Sequence, residues 1–298
     1  MGSADRVWLN GEIVEGPDAA IAPRDRGFLY GDGFFETTRI LNGHALFLDL
    51  HLARLAASCR ETGFGWEPDS EEMAAAVAGL VAANRAADGY LRISVSRGVH
   101  SGALTELAAG SPTTFIETRS MSLAPLHAAP PVLLARSTWR RNERSPLVRH
   151  KCLSYMENVL ALADARRRGA DEVYFLNSQD LLTEGAITNL FWVKDGEVYT
   201  PAVRCGLLPG VTRGVVLDLC ERLGMPACQG EFPEPALACA DEAFCTNSLR
   251  GIVAVRGLLE WPEAPLAEGP ATNRLRQAYA DHALASCGGG REAGGSGV

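Results

Sequence analysis

Lysine is almost absent from this chain: Lys151 and Lys194 are the only two among 28 lysines and arginines. That scarcity makes each of the two worth weighing as a chemically special amine. Lys194 lies in Phe191-Trp192-Val193-Lys194-Asp195-Gly196-Glu197-Val198-Tyr199. The Asp-Gly pair reads as a type I′ hairpin turn, and Lys194 as a solvated residue beside it. Lys151 stands in Val148-Arg149-His150-Lys151-Cys152-Leu153-Ser154-Tyr155, just before a segment that reads as a helix from about Glu157 to Arg168. A reactive amine can be placed there.

Other segments carry groups suited to an anion or a polar ring. Gly210-Val211-Thr212-Arg213 opens an expected helix from Thr212 to Leu223, with Thr212 as its cap and Gly224 as its stop. Its amides, the helix dipole and the Thr212 hydroxyl could converge on a phosphate, or the same residues could simply cap a helix. Thr183-Glu184-Gly185-Ala186-Ile187-Thr188-Asn189 sets one carboxylate in a tight turn entering an apolar strand. Glu184 is either solvated there or buried with a partner. Thr246-Asn247-Ser248-Leu249-Arg250-Gly251 follows Ala243-Phe244-Cys245 and, taken alone, is an ordinary strand-end turn. His51 and Arg54 share a helix face at i, i+3, from which Arg54 could grip a phosphate with two nitrogens or close an ion pair. Lone histidines such as His100 and His150 are more often structural, and neither is assigned a catalytic role.

The elements that must position these groups follow from turn and cap signals. Val7-Trp8-Leu9 and Glu12-Ile13-Val14 flank Asn10-Gly11, and a second pair of apolar runs flanks Asn42-Gly43, which predicts an antiparallel sheet. Asp49 is expected to cap a helix from Leu50 to about Gly63, and Asp69 or Ser70 to start another running to about Arg85. Tyr90 to Ser96 alternates as a strand. This gives a smaller α+β domain over 1–119. Residues 120–131 hold three prolines and read as a linker. A larger domain over 132–285 then begins with a strand at Val132 to Ala135 and an arginine-rich loop from Trp139 to Arg149. Another strand is expected at Glu172 to Leu176, and residues 286–298 read as a flexible tail.

The composition excludes several classes. With 298 residues, 47% of them hydrophobic, the chain is long enough for two packed domains. A formal charge of −8 and a pI near 5.3 argue against nucleic-acid binding. The N-terminal residues lack the apolar run of a signal peptide, and no stretch approaches a membrane span, so a cytoplasmic protein is expected. The eight cysteines show no C-x-x-C pair and no metal-like clustering with histidine, and read as small apolar residues in a reducing compartment, with no metal site.

Taken in order, Tyr30-Gly31-Asp32-Gly33-Phe34-Phe35-Glu36, His51-Leu52-Ala53-Arg54-Leu55, Lys151, Thr183-Glu184-Gly185 with Asn189-Leu190-Phe191, Gly210-Val211-Thr212-Arg213, and Asp241-Glu242-Ala243-Phe244 with Thr246-Asn247 resemble the class IV aminotransferase family of pyridoxal 5'-phosphate (PLP) enzymes. The match runs nearly to Val255, and its ordered spacing is more specific than any single piece. The resemblance implies a two-domain α+β fold with the cofactor cleft between domains, in a homodimer acting on a small amine or amino acid. It implies that Lys151 is the Schiff-base lysine, which must be neutral to move protons. Glu184 would face the pyridine nitrogen. Arg54, Val211, Thr212, Asn247 and Ser248 would hold the phosphate, Tyr155 would bond the cofactor's 3′ oxygen, and Thr188 would join the cofactor-binding set.

Substrate choice within that family is less evenly matched. Branched-chain enzymes usually carry Phe-Glu-Gly-x-Arg where this chain has Phe35-Glu36-Thr37-Thr38-Arg39, and the threonines narrow the space a glycine leaves. D-amino-acid enzymes are similar through Gly31-Asp32-Gly33, but their Arg-x-His carboxylate trap is not evident after Arg97. The Thr37-Thr38 pair and Thr246 to Ile252 look more like aminodeoxychorismate lyase, with Tyr30, Thr38, Arg92 and Arg97 as substrate-binding candidates. A transaminase of branched-chain or D-amino-acid type is the alternative. A catalytically inactive PLP-binding protein is a third reading, against which the joint presence of Lys151, Glu184 and both phosphate elements speaks.

Overall fold

The computed structural model describes residues 6–99, 104, 111–264, 266 and 268–288. His100 and residues 289–298 of the expected tail lie outside the described residues. The chain divides into two compact units, one of Met1–Leu123, His150–Ser154 and Ala283–Val298, the other of Ala124–Arg149 and Tyr155–His282. The expected boundaries ran straight through the chain. In the structure the short Lys151 segment instead groups with the first unit, because it is hydrogen-bonded to a strand there.

The first unit is a six-stranded antiparallel sheet covered on one face by helices. β1 (Arg6–Leu9) and β2 (Glu12–Glu15) meet at Asn10-Gly11, whose φ values of 50° and 104° are those of a two-residue primed turn. A short α1 (Arg26–Tyr30) ends at Gly31, which adopts φ 66°. β3 (Gly33–Leu41) and β4 (His44–Ala45) turn at Asn42-Gly43 in the same manner. α2 (Leu48–Glu61) begins two residues before its expected start: Phe47, at φ 52°, takes the cap position, and Asp49 lies in the first turn instead of capping. α3 (Ser70–Ala83) is capped as expected by Asp69, which accepts from the amides of Glu71 and Glu72 at 2.9 Å each. β5 (Gly89–Ser96) and β6 (Thr113–Ser120) complete the order β2-β1-β6-β5-β3-β4.

Alternation decides what each face of that sheet does. Phe34, Ile40, Leu91, Ile93, Val95 and Ile116 pack with Leu52 and Leu55 of α2 and Met73, Val77 and Leu80 of α3. Each such fully buried side chain contributes about 1.5–3 kcal/mol. Phe35, Thr37, Arg92 and Ser94 occupy the opposite face by the period-2 rule.

The second unit holds a seven-stranded mixed sheet in the order β11-β10-β9-β12-β13-β7-β8. β7 (Val132–Arg141) runs well beyond the expected Ala135, so Trp139 to Arg141 lie in a strand. α4 (Met156–Arg167) and β8 (Glu172–Asn177) follow. β9 (Asn189–Lys194) and β10 (Glu197–Pro201) form the expected Asp195-Gly196 hairpin, where Lys194 pairs with Asp241 at 2.9 Å on the surface. α5 (Val211–Arg222) ends in a Schellman arrangement, with Gly224 N–H on Glu221 and Met225 N–H on Cys220. The remainder is β11 (Ala227–Gly230), α6 (Pro235–Ala238), β12 (Glu242–Asn247), β13 (Gly251–Leu258) and α7 (Pro270–Gly288).

β8 is buried along its whole length, Val173 and Phe175 facing Ala161 and Ala165 of α4 while Tyr174 and Leu176 join the larger core around Trp192. α7 was not foreseen. It takes in residues 286–288 of the expected tail, and its first turn is capped from β12, where Glu242 accepts from the amides of Ala271 and Thr272. Burial raises the thiols of Cys59 and Cys245 to about 12, the behaviour of inert core residues.

Gly33 tests how the Lys151 segment is seated. A methyl there would meet Val95 O at 2.2 Å and Leu153 Cδ1 at 2.7 Å. Gly33→Ala is expected to lose about 2–3 kcal/mol in urea denaturation, since overpacked sites cost that much. Gly214→Ala, with nothing near the added methyl inside α5, is expected to hold or gain stability.

Candidate active site

In the first unit the Lys151 segment lies antiparallel to the start of β3. Phe35 N–H donates to Lys151 O at 2.8 Å, Leu153 N–H donates to Gly33 O at 2.9 Å, and Phe34 bridges Cys152. Only glycine admits this approach at Gly33. At Gly31 a methyl would meet Ser154 Oγ at 2.2 Å, so the Gly31-Asp32-Gly33 sequence is what lets the lysine segment lie down. The half-buried Lys151 side chain crosses the ring of Phe35 with Nζ 4.2 Å from its centroid, and the Arg92 guanidinium stands 3.9 Å from the same centroid. One aromatic ring thus packs against both an amine and a guanidinium. Thr37 is the strand partner of Arg92.

Behind that strand lies a buried charge cluster. Glu36, 2% exposed, takes Arg54 Nε on Oε1 at 2.8 Å and Arg54 Nη2 on Oε2 at 2.5 Å, and its Oε2 is 2.6 Å from His51 Nδ1. Burial alone would raise the Glu36 carboxyl. The Arg54 charge and the His51 contact outweigh it and hold the group at about 2. The i, i+3 spacing of His51 and Arg54 serves this carboxylate, which locks the orientation of Arg54.

In the second unit Glu184 is buried at the turn entering β9. Its Oε2 accepts from Leu208 N–H at 3.0 Å and Asn189 Nδ2 at 3.3 Å, and its Oε1 from Arg141 Nη2 at 3.4 Å. Arg141 is pinned by Glu157 and Asn158 and stacks on Phe175 with its guanidinium 4.2 Å from the ring centroid. Glu184 is therefore buried with partners, the second of the two states its sequence context allowed. Arg141 and Asn158 were not singled out from sequence, and Asn189 only as part of a motif, since their types are common and only the fold brings them to one carboxylate.

The anion cup is clearer than its sequence suggested. α5 starts at Val211 with Gly210 as its cap residue and no side-chain cap, so Thr212 does not cap the helix. Gly210 is required because a methyl there would meet Asn189 Oδ1 at 2.0 Å. The first amide to bond back inside the helix is that of Gly214, on Gly210 O, so those of Val211, Thr212 and Arg213 point out of the helix end. The Thr212 hydroxyl is buried with no hydrogen-bond partner, and so is that of Thr246 at the end of β12, the strand on which α5 packs. Two buried orphan hydroxyls beside an uncapped helix start are what an anion with several acceptor oxygens would satisfy.

Several expected site residues are engaged otherwise. Arg97 is buried, donating to Asp32 Oδ2 at 3.0 Å and Gly63 O at 3.1 Å and stacking on Phe64, so its charge serves the fold and not a substrate. Thr38 donates to Leu46 O at 2.6 Å on the core side of β3 and faces away from Phe35. Thr188, expected among the cofactor-binding residues, donates instead to Glu172 Oε2 at 3.3 Å inside its own turn. Asn247 spends its carbonyl oxygen on the amides of Leu249 and Arg250, which closes the turn that presents Ser248. Tyr155 donates its phenol hydrogen to Ala186 O at 3.0 Å. Tyr30 lies exposed on α1, its ring 5.2 Å from the Arg26 guanidinium.

A mixed α/β chain of two units, with a lysine laid along a strand, a buried, donor-held glutamate and a vacant-ended helix, has the parts of a PLP enzyme. The family model for amino-transferase class IV matches residues 33–258. A Methanocaldococcus jannaschii protein named as a candidate branched-chain-amino-acid aminotransferase is 33% identical over 253 residues, 84% of this chain and 86% of its own length. The aminodeoxychorismate lyase of Bacillus subtilis is 31% identical over 251 residues, 83% of this chain and 84% of its own. The crystal structure of 4-amino-4-deoxychorismate lyase from Pseudomonas aeruginosa superposes with a TM-score of 0.81 at 30% identity, covering 92% of this chain and 98% of that one. The chain belongs to the class IV aminotransferases and is an enzyme whose cofactor is PLP. The orphaned hydroxyls of Thr212 and Thr246 fit the phosphate of that cofactor.

Glu36 generates a pH test. Its folded pKa of about 2 lies below the ordinary 4.5, so its contribution is complete above pH 4.5 and disappears as pH falls towards 2. That contribution is about 3 kcal/mol by linkage. Denaturant melts from pH 7 to pH 2 are expected to show this loss in the native chain, and Glu36→Gln to start lower and to fall less steeply across the same window.

Proposed function

We propose that the chain is a 4-amino-4-deoxychorismate lyase, releasing pyruvate and 4-aminobenzoate from a cyclic amino dicarboxylate. The observation that carries the reading is the ring of Phe35, whose centroid lies 4.2 Å from the Lys151 amine and 3.9 Å from the Arg92 guanidinium. The ring that meets an amine able to work at a substrate's amino-bearing carbon thus also meets a cation able to bind a carboxylate. Thr37, the neighbour of Arg92 across the strand pair, presents a β-branched side chain where branched-chain enzymes are typically open, which favours a flat ring over an aliphatic side chain. The similarity to two lyases supports the same choice.

When bound, PLP supplies an electron sink for the bond being broken. The chain's residues do the rest. Lys151 would supply the amine to which the cofactor attaches and the base that takes a proton from the ring carbon of the substrate. Glu184, its own oxygens held by Leu208, Asn189 and Arg141, would keep the ring nitrogen protonated. The amides at Val211 and Thr212, the hydroxyls of Thr212 and Thr246 and the turn of Asn247 and Ser248 would hold the phosphate, and Arg54, oriented by Glu36, is the cation that the family resemblance assigns to the same anion. Arg92 binds a substrate carboxylate.

A transaminase is the second reading, favoured by the 33% identity to the M. jannaschii protein. The holoenzyme separates the two. With 4-amino-4-deoxychorismate it is expected to produce 4-aminobenzoate and pyruvate in equal amounts. With D- or L-amino acids and no keto acid it is expected to leave the cofactor's visible absorbance unchanged. Amino-group transfer onto the cofactor from any amino acid, without 4-aminobenzoate formation, would establish the transaminase instead. Arg92→Ala is expected to raise KM at least tenfold with kcat little changed, the cost of about 1.5–3 kcal/mol for a lost charge-assisted bond.

The same reading includes a homodimer in the cytoplasm. Phe28 on α1 is 77% exposed beside Leu29 and Tyr30, and α4 presents Met156, Val159 and Leu160 to solvent. Such apolar ridges are typical of contacts between copies. Light scattering is expected to give twice the chain mass, and Phe28→Asp to shift it towards a monomer.

A further inference from the structure

The turn that carries Glu184 is built around a second carboxylate. Glu172 opens β8 and is 3% exposed. It accepts from the amides of Val173 at 2.8 Å, Ala186 at 3.0 Å and Ile187 at 3.2 Å, and from the Thr188 hydroxyl at 3.3 Å. None of these four donors carries a charge. Burial pushes its carboxyl above the usual range despite them, so the chain keeps here a group that is costly to bury.

What that carboxylate holds is specific. The turn closes with Gly185 N–H on Thr188 O at 2.8 Å, and the Glu184 carbonyl receives Phe175 N–H at 2.8 Å. A methyl on Gly185 would meet Thr188 Oγ1 at 2.2 Å, so the turn is wrapped tightly on its anchor. The Ala186 carbonyl then accepts from Tyr155 at 3.0 Å and from Asn158 Nδ2 at 2.5 Å. Asn158 Oδ1 accepts from Arg141, which reaches Glu184. Two routes therefore run from Glu172 to Glu184, one through the backbone of the turn and one through Ala186, Asn158 and Arg141.

We infer that Glu172 is a positioning residue: its carboxylate fixes the 185–188 turn so that Glu184 and Tyr155 keep their places against the cofactor ring. This rests on the proposed role of Glu184 at the pyridine nitrogen. A filler with satisfied hydrogen bonds would be linked to stability alone. A positioning residue is linked to the cofactor through Glu184.

The test is a double-mutant cycle on full-length protein, reading PLP dissociation by fluorescence titration of the apoenzyme and backbone exchange by mass spectrometry. Glu172→Gln keeps the shape but sets an NH2 group against amide donors. It is expected to weaken PLP binding about tenfold and to speed exchange at Ala186 and Ile187. In a Glu184→Gln background the same substitution is expected to add less than about twofold, because the effect passes through Glu184. Wild-type PLP affinity in Glu172→Gln, or an effect of equal size with and without Glu184, overturns the inference while leaving the Glu184 role intact. If Glu184→Gln binds PLP with unchanged affinity and spectrum, the role of Glu184 fails and this inference fails with it. Should Glu172→Gln not fold, Thr188→Val, which removes one donor and leaves the carboxylate, is expected to weaken binding severalfold with the same dependence on Glu184. A silent Thr188→Val then overturns the inference.

Discussion

A carboxylate taken out of water must be given enough donors to replace it, and that requirement organises both units of this enzyme. Glu36 is answered by charge: an arginine fork and a histidine on successive turns of α2 converge on it. Glu184 is answered by one arginine, one amide side chain and one backbone amide, each drawn from a different segment. Glu172 is answered by neutral donors alone. The three solutions differ in what they leave available. A fork spent on Glu36 fixes the direction of Arg54, while Glu184 is held by longer contacts of 3.0–3.4 Å.

Close backbone approach is the companion constraint. Gly31, Gly33, Gly185 and Gly210 each stand where a methyl would come within 2.2 Å of a neighbouring atom. Three of those neighbours are side-chain or backbone atoms of segments bearing candidate site residues: Ser154 after Lys151, Thr188 after Glu184, and Asn189 on Glu184 itself. Glycine here is a tolerance for proximity more than a turn device. It explains why motifs that look like ordinary loop glycines recur next to each chemically active side chain.

Much of this was legible in the sequence where the cue was local. Asn10-Gly11, Asn42-Gly43 and Asp195-Gly196 announce their hairpins because only such pairs take two left-handed residues in succession, and Asp69 announces α3 because its side chain answers amides two and three residues on. The ordered motifs marked the family. Non-local cues were not legible. The start of α2 depends on Phe47 in a left-handed conformation, which no local preference favours. α7 was missed because its N-terminal amides are answered by Glu242 from a strand well back in the chain and not by a local cap. Arg97 read as a substrate cation because it sits at the end of β5, yet Asp32, Gly63 and Phe64, all distant in sequence, absorb it.

The division between shared and particular chemistry follows from the same geometry. The groups proposed to serve the cofactor are held by the most heavily constrained parts of the chain: buried carboxylates, glycine contacts and a helix end. Each is coupled to the core, so altering it alters the fold. The face of β3 and β5 bearing Phe35, Thr37 and Arg92 is constrained differently. By strand alternation its side chains lie opposite the packed core, and a change at Thr37 or Arg92 disturbs neither Ile93 nor Leu91 behind it. A fold of this kind can therefore retain one cofactor apparatus while its reaction changes from amino transfer to elimination through substitutions on a single sheet face. The residues that distinguish a lyase from a transaminase are to be sought there, beside the ring that Lys151 and Arg92 share.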